Sequence, residues 1–227
     1  MPKNPDLIER LYEGLGVHLE RTFLGSNLLL HAGAIALTYF FVTEGWDWNF
    51  YKWTGQSSAG IQFAFTAAVV GIILPILIPV CLYLYGLMKR NASIKHVALV
   101  LMQAVIIALI VSCGYKALTG RVSPEYTVSF SKTSPHTLHR DRSEMWRFGF
   151  MRGGVFDGWP SGHTTSAFAM VTAAALVSPR RKWLHIFLFV YAIYIGLGVG
   201  TTIHWLSDAL AGALIGIAVG RAVAGHE

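Results

Sequence analysis

His204 and Asp208 stand four residues apart, so on a helix they share one face and can interact directly. A carboxylate that accepts the Nδ1 proton fixes the imidazole tautomer with the Nε2 lone pair outward, which prepares a histidine as base or nucleophile. A buried, satisfied polar pair would look the same in sequence. The run Pro160-Ser161-Gly162-His163 adds a second chemistry. Serine is a good N-cap, and the free amides and positive dipole end of a helix N-terminus attract anions. Gly162 lets the backbone approach a ligand closely, and His163 offers a proton donor beside it. Lys116 and Arg121 supply cations that suit a phosphoryl group. His163, His204 and Asp208 could also form a two-histidine, one-carboxylate metal set, but the two cations would repel a divalent ion, so neither metal nor cofactor is expected.

These groups must be positioned by membrane helices. Hydrophobic residues make up 54% of the 227 and charged residues only 13%, against roughly 25% charged in a soluble domain. Apolar runs at about 23–42, 60–88, 97–117, 161–178, 183–201 and 204–222 approach the ~20 residues that cross a bilayer. The fold expected is all-α: a single domain over 1–227, a six-transmembrane-helix bundle with a short interfacial helix within 1–22. Pro75 and Pro79 predict a kink in the second span, and Gly212, Gly216 and Gly220 a flat ridge for close helix packing. The net charge of +6 has no soluble basic module to carry it, so anionic lipid is expected as partner and nucleic acid is not. Two cysteines, Cys81 and Cys113, lie in apolar runs and make no disulfide framework. The polar start to about Thr22 predicts no cleavable signal peptide.

Basic short turns at Lys89, Arg90 and Lys95 and at Arg180, Arg181 and Lys182 place those turns and both termini in the cytoplasm. Trp46, Trp48, Tyr51 and Trp53 then form an aromatic belt in an outer loop at 43–58. The segment 119–159 is an outer loop carrying Arg121, Lys132, Arg140, Arg142, Arg147 and Arg152, a basic surface suited to an anion. Lys116 and Arg121, Ser161 to His163, and His204 with Asp208 all reach one membrane face. His31 and Gln103 read as polar groups satisfied between helices.

The residues resemble the type-2 phosphatidic acid phosphatase family, whose signature is Lys-x6-Arg-Pro, Pro-Ser-Gly-His and Ser-Arg-x5-His-x3-Asp. The middle part is complete at Pro160 to His163, and the third is matched at His204 and Asp208. Lys116 and Pro124 fit the first, but Ser123 fills its arginine slot, and Leu197 and Gly198 fill the Ser-Arg slots of the third. The resemblance implies a metal-independent phosphatase acting on a membrane lipid phosphate or diphosphate. His204 would form a phosphohistidine, Asp208 orient it and His163 protonate the leaving oxygen. Ser161, Gly162 and Lys116 would bind phosphate, and within this chain Arg121 is expected to replace the guanidinium missing at Ser123, with Arg152 as the other candidate. A lipid phosphotransferase and a catalytically silent lipid-phosphate binder are the alternatives. The membrane expected is of cytoplasmic type, with the site facing outward. A cysteine placed at Ser131 should therefore react with a membrane-impermeant thiol reagent added to intact cells, and labelling only after lysis would invert the topology.

Overall fold

The computed structural model describes residues 7–54, 57–124, 140–155 and 158–225, and among them the regular structure is entirely helical: α1 Leu7–Tyr12, α2 Leu15–Arg21, α3 Ser26–Thr43, α4 Trp46–Thr54, α5 Ser58–Met88, α6 Ala92–Thr119, α7 Gly162–Val177, α8 Lys182–Thr202 and α9 Leu206–Ala224. Polar caps set several starts. Ser57 Oγ accepts from the Gly60 amide at 2.9 Å to open α5, and Asn91 Oδ1 accepts from the Ile94 amide at 3.1 Å to open α6, each satisfying an otherwise orphaned donor. Gly120 closes α6 in the left-handed region at φ +51°, a conformation open to glycine at little cost.

Helices α3, α5, α6, α8 and α9 are long and apolar enough to cross a membrane. The sixth expected span is α7, with 16 residues. It rises about 24 Å against a hydrocarbon core of about 30 Å, and is a shorter apolar helix beside the five candidate spans. Nine of its 16 residues are buried. Large apolar side chains of α3, α5 and α8, among them Leu29, Ile72 and Phe187, face outward instead, as lipid-facing helices require. The expected N-terminal helix is two short ones, parted where Gly14 adopts φ +75°. Gln103 of α6 holds this region by donating to the Leu11 and Glu13 carbonyls at 3.1 and 2.8 Å. His31 is likewise satisfied, by the Thr22 carbonyl and the Tyr115 hydroxyl.

The expected loop at 43–58 contains α4, and its aromatic belt is divided. Trp46 and Trp53 are exposed, but Tyr51 is buried against Trp205 with Trp48 stacked on it. Aromatic burial against another ring outweighs a place at the interface for those two. Of the outer-loop groups, Lys132 and the other residues of 125–139 lie outside the described residues.

The glycine ridge brings α9 onto α7. A Cβ on Gly212 would stand 2.7 Å from the Ser161 carbonyl oxygen, and one on Gly216 would stand 2.5 Å from that of Thr165. Only hydrogen fits there. Gly216→Ala should therefore cost about 1–3 kcal/mol through overpacking and lower the Tm in detergent. Gly114→Ala, where nothing lies within 4 Å, should leave the Tm unchanged or raise it. Equal melting of the two variants would contradict this packing.

Candidate active site

Three helix ends meet at one cavity of about 260 Å³, whose walls include Lys116 of α6, Gly162, His163 and Ser166 of α7, and His204 of the turn between α8 and α9. Ser161 shapes the start of α7. Its buried Oγ caps the helix toward the Thr164 amide at 3.5 Å, and its carbonyl accepts the Thr165 hydroxyl at 2.7 Å. Ser161 thus builds the helix opening and is absent from the cavity wall, while Gly162 lines it. A Cβ on Gly162 would lie 4.0 Å from Lys116 Cε, so the lysine stem passes beside the first amides of α7. That arrangement joins an ammonium to a helix N-terminus, two attractors of anions.

The two histidine rings face each other edge to face with centroids 5.9 Å apart. His204 Nδ1 lies 3.8 Å from Asp208 Oδ2, a distance longer than a hydrogen bond. Asp208 is itself fixed, because Oδ2 accepts the Trp205 amide at 3.1 Å. The Asp208 main-chain carbonyl accepts the Ser161 amide at 2.9 Å, which ties the opening of α7 to the first turn of α9.

Arg121, expected to clamp phosphate, lies apart from the cavity and is held by carboxylates. It is buried and absent from the cavity wall. Its Nη1 donates to Asp208 Oδ1 and to Ser207 Oγ. Nη2 donates to Asp47 Oδ2 at 2.7 Å and to the Ser143 carbonyl at 2.9 Å, and Nε donates to the same carbonyl at 3.1 Å. A guanidinium has five N–H donors, and these contacts occupy them. Asp47, on α4, also accepts the Ser207 amide at 2.8 Å and the Ser207 hydroxyl at 2.6 Å. Burial pushes the Asp47 carboxyl above the usual carboxylate range, while the Arg121 charge pulls it down. Arg152 is exposed, with Nη1 3.4 Å from the Phe148 carbonyl, and it too is absent from the cavity wall.

Both empty arginine slots have local occupants. Ser123 Oγ accepts the Gly158 amide at 3.0 Å. A Cβ on Gly198 would overlap Ala67 Cβ of α5, so this position has no room for a longer side chain. Two residues of the site are not legible from the motifs. Asp47 carries no signal, being one acid in an aromatic segment far from them. Ser166 follows His163 by three residues and so shares its helix face. It lines the cavity, and its buried Oγ meets no hydrogen-bond partner among the described residues.

Residues 96–225 match the family model of the PAP2 superfamily. The chain belongs to that superfamily. A lipid A 1-phosphatase of Porphyromonas gingivalis is 37% identical over 80 residues, which are 34% of this chain and 18% of that protein. The chain therefore matches less than a fifth of that relative's length. No solved structure matches it. Asp47 lies outside the stretch that matches the superfamily model.

Asp47→Ala should strand the Arg121 guanidinium and the Ser207 donors in a dry site. Breaking a buried ion pair from one side typically costs about 3–5 kcal/mol, so the Tm in detergent should fall by more than for Arg152→Ala. Equal melting of the two variants would show that the buried network contributes little to the fold.

Proposed function

We propose that this PAP2 superfamily member is a lipid phosphate phosphatase that works through a phosphohistidine on His204. The observation that carries the proposal is the cavity that brings Lys116, His163 and His204 together with the opening of α7. Ile72 and Ile76 of α5 and Leu109 of α6 also line it, and all three are exposed apolar side chains on candidate spans. A substrate with a phosphate at one end and hydrocarbon at the other fits such walls.

In the first step His204 Nε2 attacks phosphorus, the bond from phosphorus to the lipid oxygen breaks, and His163 gives its proton to that oxygen. In the second, His163 takes a proton from water as the water oxygen attacks phosphorus. The nitrogen–phosphorus bond then breaks and inorganic phosphate leaves. Lys116, the α7 amides and the Ser166 hydroxyl hold the phosphoryl oxygens, whose charge must be stabilised as the group transfers. Asp208 orients His204, and Arg121 with Asp47 holds Asp208. In this reading the phosphate-binding role falls to Lys116 and the α7 opening in place of Arg121 or Arg152.

The name of the P. gingivalis relative makes lipid A 1-phosphate the first substrate to try. Phosphatidic acid, phosphatidylglycerol phosphate and polyprenyl diphosphate complete the panel. The second reading, a silent lipid-phosphate binder, is favoured by the occupied arginine slots at Ser123 and Gly198. Phosphate release by protein purified in detergent separates the two. We expect release that His204→Ala abolishes and that His163→Ala slows by about 10²–10⁴-fold, the usual worth of general acid catalysis. A chelator should leave the rate unchanged. Full activity in His204→Ala, or loss with a chelator that added zinc or iron reverses, would exclude the phosphohistidine route. Tight binding of these lipids without release would establish the silent binder, and a phosphorylated acceptor in place of free phosphate would establish a transferase.

A further inference from the structure

A second cavity, of about 370 Å³, lies between α3 and α6 and shares no wall residue with the first. Its inner polar groups are already satisfied by the protein. Thr38 Oγ1 donates to the Ala34 carbonyl and accepts the Trp159 indole N–H, both at 2.8 Å. The Thr119 hydroxyl donates to the Tyr115 carbonyl at 2.8 Å, and the Tyr115 hydroxyl is 2.8 Å from His31 Nδ1. Water entering here would find few partners, and a cavity of that kind stays dry or takes an apolar ligand. Its side walls, α3 and α6, are both candidate membrane spans, so a bilayer around them would set acyl chains beside the opening.

The remaining wall is supplied by Trp146 and Phe148, whose rings stack 5.4 Å apart and 3° from parallel. Backbone bonds fasten their segment to the end of α6: Arg147 to Gly120 at 3.1 Å, Gly149 to Leu118 at 2.9 Å and Met151 to Ala117 at 2.7 Å. Arg147, which separates the two ring residues in sequence, is exposed, as are Arg140 and Arg152. Aromatic rings alternating with arginines at a span end suit the headgroup layer, where basic side chains attract anionic lipid.

We propose that this groove binds one alkyl chain of an anionic bilayer phospholipid, with the headgroup at Arg147, as a site separate from that of the substrate. The site has a path to the carboxylate beside His204. The Arg121 guanidinium carbon lies 4.9 Å from the centre of the Trp146 ring, and Arg121 holds Asp208. Trp159, which shares the groove, precedes Pro160 and Ser161 directly. A chain seated against Trp146 and Trp159 therefore packs on the shell behind both the α7 opening and the His204–Asp208 pair.

The test is native mass spectrometry of the full chain released from micelles containing equal amounts of phosphatidylglycerol and phosphatidylcholine. Phosphatidylglycerol is a phosphodiester without a terminal phosphate, so its retention is independent of the proposed hydrolysis and stands or falls separately from it. Wild type should retain one phosphatidylglycerol in preference to phosphatidylcholine by roughly tenfold. Val42→Trp, which fills the groove, should remove that lipid, and Ile35→Trp, on the same face of α3, should do likewise if the first variant does not fold. Arg147→Gln should keep a bound lipid but lose the preference for phosphatidylglycerol. Equal retention of the two lipids by wild type would mean ordinary boundary lipid and overturn the proposal. So would a lipid that survives both groove-filling variants but is lost in Leu109→Trp, because it would then occupy the first cavity.

Discussion

A guanidinium in a dry interior has to be neutralised and given acceptors for all its N–H groups, and the way Arg121 meets that demand organises the site end of this protein. It lies between two buried carboxylates, Asp47 of α4 and Asp208 of α9, with Ser207 and the Ser143 carbonyl taking the remaining donors. Three separate stretches, at Asp47, Ser143 and Ser207 with Asp208, are thereby tied to one planar group. Desolvating such ions is expensive, and it is offset only when geometry and hydrogen bonding are nearly complete, as they are here. Two negative charges on one positive charge also leave Asp208 able to attract His204, which stands beside it at 3.8 Å.

A second constraint acts through small residues. In a bilayer, helices gain little from hydrophobic burial against one another, so close approach and dispersion must hold them together. The glycines of α9 admit the carbonyls of α7 at distances that a methyl group would prevent. The same approach lets the Ser161 amide reach the Asp208 carbonyl. The anion-attracting helix opening and the histidine with its carboxylate are therefore joined directly. On α8, Gly198 does the equivalent against Ala67 of α5, and that packing leaves no place for an arginine in the third motif.

Much of the candidate site is legible in residue types and spacing. The four-residue interval of His204 and Asp208, the Pro-Ser-Gly-His run and the cation at Lys116 are local patterns whose chemistry follows from helix geometry. The partners of Arg121 are not legible in this way. Its place beside an empty arginine slot points to a phosphate ligand, but an arginine takes whichever anions the fold places nearest. The decisive anion, Asp47, lies 74 residues away in a segment that reads as an aromatic loop. Tyr51 shows the same limit. As an aromatic residue near a span end it suits the headgroup layer, yet the nearby Trp205 ring buries it.

The sequence by itself determined the helical, membrane-spanning character, because backbone groups in hydrocarbon must be satisfied within each apolar run. It also determined the glycine ridge and the types of group that the proposed reaction needs, since both are periodic or local properties. Only the tertiary structure decided that α7 is largely buried among the other helices, that Gly162 and Ser166 line the cavity while Ser161 does not, and that the second cavity is separate from the first. It alone decided which side of Asp208 Arg121 would occupy. Those are outcomes of long-range packing and of competition among buried charges for partners, and no window of sequence contains both sides of that competition.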